Sequence, residues 1–511
     1  MTQTILVPGR SCAILADAPR SGLLVDGHDY YRAVYDACRQ ARKSILMLGW
    51  QFDSRVELLR GDEAHDAEHP IALLRFLTTL CEERPELQVR ILTWRSSPVF
   101  ALEREPFQSL TFRLRSHDNL RFELDSCHPL GASQHQKVVI VDRSIAMLGG
   151  MDVCKGRWDD RAHLAHDPRR GRKPLRLAYY PPYHDVQAYV TGAAVDVLRA
   201  WFVDRWQRGC GEALELEDAP RDPVAITPTL EIALPRVGLT RTVPELEETD
   251  PPRPPIEELR ELHRRAVAAA EKSIYIENQY FCAEDLRRAL FERMQRDDTP
   301  LEIVIVLPRR SGGIKEQVAI GVRQSEILRE LKAMAARTGH HVGVYYVAAP
   351  GEDGDVPVFI HSKVLAVDDR FLLVSSCNTT NRSFGLDSEL GVAWEAEREA
   401  PSIRTARVEL LREHTGLDAF EAEDLLVPQA RLVARLDELA RARSHRLRMH
   451  SMCEDREPGY TIAKKLRGDV PLDPRHGDAY EEILPEPDQW YRHVKDHLAL
   501  LMRRLRLAVG R

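Results

Sequence analysis

Apolar residues recur along the chain in two kinds of stretch. The run Ser44-Ile45-Leu46-Met47-Leu48-Gly49-Trp50 is almost continuously apolar, as a strand buried on both faces requires, and residues 24–38 before it show helical spacing. The same succession returns later: residues 256–270 have a helical pattern, and Ile274-Tyr275-Ile276 reads as a strand with Glu277-Asn278-Gln279-Tyr280-Phe281 at its carboxyl end. Further strands are predicted at residues 87–92 and 301–307, and two more apolar runs, Lys137-Val138-Val139-Ile140-Val141 and Lys363-Val364-Leu365-Ala366-Val367, each end at an aspartate. A short return strand follows each, Ala146-Met147-Leu148 and Phe371-Leu372-Leu373-Val374. Helices alternating with such strands predict an α/β fold whose sheets are covered on both faces.

The repetition is also exact in spacing. His135, Lys137 and Asp142 recur as His361, Lys363 and Asp368, each 226 positions further on, and the same offset carries Gly149-Gly150-Met151-Asp152 onto Ser375-Ser376-Cys377-Asn378. Upstream, Ala41-Arg42-Lys43-Ser44-Ile45 recurs as Ala270-Glu271-Lys272-Ser273-Ile274. One such pattern is weak evidence, whereas two in register indicate an internal duplication. The proline-rich stretch 213–255, with one candidate strand at Thr229-Leu230-Glu231-Ile232-Ala233-Leu234, marks the seam. The expected organisation is a first half at 1–215, a second half at 216–400 and a helical extension at 401–511.

With 511 residues, 43% apolar and 30% charged, the chain suits a soluble globular protein of two or three domains. A net charge of −7 argues against nucleic-acid binding through overall basicity. Nine cysteines without paired spacing read as reduced thiols. Residues 1–15 make a poor secretory signal and no window is long and apolar enough to span a bilayer, so a cytoplasmic protein, at most peripheral to a membrane, is expected.

Strand alternation puts His and Lys, two apart, on one face. Two such motifs supply what a phosphodiester reaction needs: one imidazole to attack phosphorus, another to protonate the leaving oxygen, and two fixed cations for the non-bridging oxygens. Asn378 and Ser376 are expected to add neutral donors, with Asp152 and Asn278 completing the phosphate- or substrate-binding group. The nucleophile must begin neutral and the acid protonated, so their surroundings must separate the two imidazole pKa values, and Asp185 and Glu389 are placed to help. The scheme needs neither cofactor nor metal. His163-x-x-His166 and His340-His341 lack matched partners and read as loop residues.

These stretches, together with Gly156-Arg157-Trp158-Asp159-Asp160, His184-Asp185-Val186 and Ile276-Glu277-Asn278-Gln279-Tyr280-Phe281, resemble the blocks of the two-motif phospholipase D superfamily over residues 20–400. The Gly-Gly-x-Asp and Gly-Arg-Trp-Asp-Asp pieces resemble the phospholipases themselves. The resemblance implies two homologous α-β-α sandwich domains with mixed sheets about a pseudo-twofold axis, a phosphohistidine intermediate, and release by water or an alcohol. It implies His135 as nucleophile, His361 as general acid, Lys137 and Lys363 on the phosphate, Glu389 supporting His135, Asp185 supporting His361, and Asp142 and Asp368 as structural acids. One departure is Ser375-Ser376-Cys377-Asn378, where the superfamily usually has Gly-Ser-x-Asn, which puts the geometry of that loop in question.

The implied activity is hydrolysis or transphosphatidylation of glycerophospholipids such as phosphatidylcholine, at a membrane or micelle surface, by a monomer with no nucleic-acid partner. Cardiolipin synthase-like phosphatidyl transfer, a nuclease of the same superfamily and a non-enzymatic anionic-lipid adaptor are the alternatives. The tyrosyl-DNA phosphodiesterase branch lacks the motif aspartates that Asp142 and Asp368 retain. The basic run Arg169-Arg170-Gly171-Arg172-Lys173 reads as a solvated loop that can otherwise guide anionic head groups. Trp490, Val494, Leu498, Leu501 and Leu505 suggest a helix docked on the domain or on a membrane surface.

Overall fold

The computed structural model describes residues 3–95, 105, 107–129, 131–171, 179–246, 251–296, 299–312, 320–453 and 473–475. The carboxyl-terminal apolar stripe from Trp490 to Leu505 lies outside them.

Among the described residues the strands form two large mixed sheets with the same plan. In the first, the order is Ser21–Val25, Val186–Val190, Ile145–Gly149, Val138–Val141, Ser44–Gly49, Gln88–Trp94 and Leu120–Asp125. In the second, it is Arg236–Val243, Glu389–Glu395, Phe371–Ser375, Val364–Val367, Ser273–Glu277, Glu302–Val306 and His341–Ala349. In both, the last three strands of the series are mutually parallel and the motif strand pairs antiparallel with the first of them. The duplication read from spacing is thus a duplication of sheet topology, and the fold is the expected α/β pair of sandwiches.

Alternation within each motif strand explains how the halves join. Val138 and Ile140, with Leu46 and Leu48 beside them, point into a core shared with Val364, Ala366, Leu372 and Val374 of the other sheet. Their neighbours Val139 and Val141 point outward to a core under the helices Asp26–Arg39 and Leu73–Glu83, and Leu365 and Val367 do the same under Glu258–Ala269 and Glu284–Met294. Both faces are therefore buried, which is why the runs are continuously apolar. The helices Ala193–Cys210 and Pro401–Thr415 contribute Phe202, Trp206, Ile403 and Leu410 to the shared core.

The expected boundaries shift in four places. Leu24 and Val25 end a strand and the helix starts at Asp26, which sits at φ +63° and turns the chain between the two elements. The strand expected at residues 229–234 is only Leu230–Glu231, while Arg236–Val243, within the proline-rich seam, is a long member of the second sheet. Ile14–Asp17 pairs with Arg236–Val243, so the amino-terminal strand belongs to the second sheet rather than the first half. The carboxyl-terminal region is not wholly helical, because Leu447–Met449 adds a strand beside His341–Ala349. Alternation over such short edge segments is too brief to stand out from turn residues. No described helix is long and apolar enough to cross a membrane.

Candidate active site

The motif histidines are held by reciprocal bonds between the halves. The backbone N–H of His135 donates to the carbonyl of Ser388 at 2.9 Å, and that of His361 donates to the carbonyl of His184 at 2.8 Å. The residue after each acceptor then supplies a carboxylate: Glu389 lies 2.9 Å from His135 Nδ1, and Asp185 lies 2.7 Å from His361 Nδ1. Each imidazole is thus oriented by an acid of the opposite half, leaving its Nε2 for substrate. The two rings differ in setting, since the side chain of His135 is 16% exposed and that of His361 only 7%.

Small residues make these approaches possible. A Cβ on Gly150 would stand 2.5 Å from Asp185 Oδ1, so only glycine admits this carboxylate. The second half solves the same problem differently, because a Cβ on Gly391 would lie 2.9 Å from the Cβ of Ser375. Gly391, on the paired strand, makes the room that Ser375 takes, and the departure at Ser375-Ser376 leaves the loop intact. Ser376, in Gly150's place, donates its hydroxyl to Glu389 and accepts the N–H of Leu390 at 3.0 Å.

Lys137 and Lys363 are both buried and each donates to the carbonyl of its own motif histidine. Their compensation differs. Lys137 Nζ lies 3.2 Å from Asp152 Oδ2, whereas the equivalent of Asp152 is the neutral Asn378, and the side-chain partner of Lys363 among the described residues is the amide oxygen of Gln279, at 3.4 Å. Burial, reinforced by Lys137 and opposed by Asp185, lowers the Lys363 ammonium to about 7. Burial together with Lys363, Arg157, Lys137 and His135 holds the His361 imidazole well below its ordinary range, while burial pushes Asp185 up to about 6. Lys137, Lys363 and Arg157 bring three cations to the site, where Asp152, Asp185 and Glu389 are already engaged with Lys137 and the two histidines.

Asp142 and Asp368 stand apart from this chemistry. Asp142 accepts the backbone N–H groups of Arg42, Lys43 and Ser44 at 2.8–2.9 Å, and Asp368 those of Glu271, Lys272 and Ser273 at 2.7–2.8 Å. Both adopt φ +52°, closing the turn after the motif strand.

Comparison with known proteins agrees with this architecture. Residues 264–407 match the family described as "Cardiolipin synthase, PLD-like domain". The chain is similar to phospholipase D zeta 2 of Arabidopsis thaliana (23% identity over 81% of this chain and 55% of that protein). It is also similar to phospholipase D2 of Bos taurus (23% identity, 75% of this chain and 51% of that protein). The solved phosphatidylserine synthase of Haemophilus influenzae Rd KW20 shares the fold, with a TM-score of 0.52 at 14% identity over 84% of this chain and 95% of that one. The chain belongs to the phospholipase D superfamily. It spans about half the length of these two curated phospholipase D relatives.

Three residues expected to bind phosphate in this superfamily member are otherwise engaged. Asp152 is the counter-ion of Lys137 and also accepts the N–H of Trp50 at 2.7 Å, and a carboxylate there would repel a phosphate. Asn278 is a loop pin, its Oδ1 accepting from the backbone of Tyr280 at 3.2 Å and of Thr379 at 3.1 Å. Ser376 serves Glu389. Among the described residues, the buried Oδ1 of Asn378 has no hydrogen-bond partner. Sequence reading gave no role to Arg157, although the Gly-Arg-Trp-Asp-Asp block carries it. Its guanidinium stacks on Tyr183 at 5.1 Å and bonds the phenol at 2.6 Å, and the Tyr183 ring lies 5.5 Å from that of His361.

The pair His163 and His166 is split, His163 being fully buried and His166 exposed. His340 pins a loop by accepting the N–H of Leu301 at 2.9 Å. In the basic run, Arg170 is buried against Asp159 and Arg169 is paired with Asp160 and Asp167, so neither is a guide for head groups. Among the described residues, side chains converging as metal ligands do include none of His135, Lys137, His361 or Lys363.

Proposed function

We propose that the protein is a phospholipase D-type phosphodiesterase that hydrolyses or transphosphatidylates glycerophospholipids such as phosphatidylcholine through a phosphohistidine intermediate. The observation that carries this reading is the crossed pair of imidazole–carboxylate bonds, His135 with Glu389 and His361 with Asp185, beside two buried lysines.

His135 donates its Nδ1 proton to Glu389 and attacks phosphorus through the Nε2 lone pair. A P–N bond forms as the bond to the head-group oxygen breaks, and His361 gives that oxygen its proton. Water or an alcohol then loses a proton to His361 and displaces His135, restoring both rings. Lys137, Lys363 and Arg157 offset the charge gathering on the non-bridging oxygens. The bound phosphate also opposes the cations that depress His361, so substrate raises the acid toward the pKa its task needs. Asn378 donates to the same oxygens.

A second reading is phosphatidyl transfer between two lipids, as the description of the matched family suggests. Incubating the protein with phosphatidylcholine micelles, with and without ethanol, tests both. Choline together with phosphatidate or phosphatidylethanol supports the first reading, and cardiolipin from phosphatidylglycerol the second. Folded protein that releases no choline over a range of pH and detergent, yet cleaves DNA, refutes both. His135→Ala should abolish every product while leaving lipid binding intact, which an adaptor would not predict for its function.

A further inference from the structure

Behind His361 lies a second group of ionisable side chains that the proposed reaction does not use. Asp26, His163, His184 and Glu413 are all fully buried, and one donor atom from each lies within 4.8 Å of the others. His184 Nδ1 stands 2.7 Å from Glu413 Oε1 and 3.0 Å from Asp26 Oδ1. His163 Nε2 stands 3.0 Å from Glu413 Oε1 and 3.5 Å from Asp26 Oδ2. The rings meet edge to face at 79°.

Each histidine also bonds a carboxylate with its outward nitrogen. His163 Nδ1 lies 2.9 Å from Asp159, and His184 Nε2 lies 3.0 Å from Glu277. With an ion bound, a carboxylate on the outer nitrogen would hold the proton there and turn the inner lone pair to the metal, the arrangement that orients metal-ligating imidazoles. The two inner nitrogens and the carboxylates of Asp26 and Glu413 face one another at 2.7–3.5 Å. Among the described residues, His184 Nδ1, although close to Glu413, has no aligned hydrogen-bond partner, and neither has Asp26 Oδ2.

The charges leave room for an ion. Asp26, Asp159, Glu277 and Glu413 bring four carboxylates, against which stand Arg161 on Glu413 at 2.7 Å and Arg170 on Asp159 at 3.2 Å. Two negative charges remain after the arginines are counted, and either a proton on each imidazole or one divalent cation in their place offsets both. The four nitrogen–oxygen distances of 2.7–3.5 Å lie on either side of the edge of about 3.3 Å that a tetrahedron of bonds near 2.0–2.1 Å would have, and the remaining separations are within 4.8 Å. Two imidazoles with two carboxylates suit a borderline ion, whereas calcium and magnesium select oxygen donors.

We propose that Asp26, His163, His184 and Glu413 bind one divalent ion of the zinc class. The ligands come from the start of the first helix, the loop at 163, the strand Tyr183–His184 and the helix Pro401–Thr415, so the ion fastens the carboxyl-terminal region to the first half. It takes no part in the reaction. His184 accepts the backbone N–H of His361 and precedes Asp185, so the ion braces the strand that orients His361.

The test is the metal content of the full chain, purified without chelator and analysed by plasma mass spectrometry. About one equivalent of zinc is expected, with a melting temperature that falls by several degrees in dipicolinate and recovers on adding zinc. Cobalt loaded in its place should give the intense visible bands of a four-coordinate site. Glu413→Gln and His163→Gln should each cut metal content at least about tenfold, while His166→Ala should not. Folded wild-type protein without metal, with a melting temperature indifferent to chelator and zinc and no cobalt bands, overturns the proposal. So does full zinc retention in the Glu413→Gln variant. Should that variant fail to fold, the wild-type metal content and cobalt spectrum decide alone.

Discussion

His361 Nδ1 and Asp185 Oδ2 are 2.7 Å apart although 176 residues separate them in sequence, and the contact crosses from one sheet to the other. The mirror contact, His135 with Glu389, crosses in the opposite direction at 2.9 Å. Neither half can therefore align its own histidine. Replacing Asp185 by Asn preserves shape but removes the charge that stabilises a protonated imidazole and frees the ring to take the other tautomer. The expected result is a kcat for choline release lower by about 10²- to 10⁴-fold. Glu389→Gln should behave alike. A loss below tenfold for both, in folded protein, would contradict the orienting role.

Gly150→Ala tests the same contact sterically. The new Cβ would meet Asp185 Oδ1 at 2.5 Å, and the carboxylate has nowhere to go because it also accepts the N–H of Val186 at 2.8 Å. The backbone there is not left-handed, so the cost is one of space alone. We expect kcat to fall at least tenfold with a destabilisation of about 1–3 kcal/mol. Gly391→Ala should act through Ser375 and Glu389 in the same way. Unchanged kcat in either variant would show that the strand yields.

Much of this site was legible in the sequence because it is carried by residues at fixed spacing. His135, Lys137, His361 and Lys363 lie on buried strands, where a period of two dictates the face, and the duplicated aspartates close identical turns. What could not be read was the bonding partner. Whether Asp152 faces a phosphate or a lysine depends on how two strands register, and the local pattern around Ser376 or Asn278 is the same for a ligand donor and a loop pin. The strand Arg236–Val243 escaped notice for a related reason: it lies among prolines, and its burial is set by Glu389–Glu395 beside it. His163 and His184 are adjacent only in the folded chain, so no spacing announces them.

Asp142 and Asp368 separate stability from chemistry. Each accepts three backbone N–H groups from the start of a neighbouring strand, and alanine in either place orphans those donors while retaining an unfavourable positive φ. Asp142→Ala should lower unfolding free energy by about 2–5 kcal/mol, measured in denaturant. The activity per folded molecule should stay within a few-fold of wild type. A stable variant with kcat reduced a thousandfold would instead place Asp142 in the reaction.

The asymmetry between Asp152 and Asn378 predicts a pH dependence. Lys363 titrates near 7 when folded and at 10.5 when exposed, because burial and the neighbouring Lys137 and Arg157 outweigh Asp185 and Glu389. Across pH 7–10 the unfolded chain carries a proton on this amine that the folded chain releases. Raising pH through that window therefore relieves the cost of a buried ammonium and favours folding, whereas below pH 7 the cost is fully present. An anion in the site reverses the preference, since it needs the charged amine. Sulfate, whose own charge is constant here, should bind about 10- to 100-fold more weakly at pH 9 than at pH 6, seen as a smaller sulfate-induced rise in melting temperature. His361, held well below its ordinary range, stays neutral across most of that span and adds little to the slope, and Asp185, pushed up to about 6, adds to it only at the lower end. Lys363→Met should flatten the dependence, whereas Lys137→Met, which removes one of the charges depressing Lys363, should move it to higher pH without abolishing it. Equal sulfate affinity at both pH values in the wild-type protein would mean that Lys363 keeps its proton, and that Asp152 is not what distinguishes the two lysines.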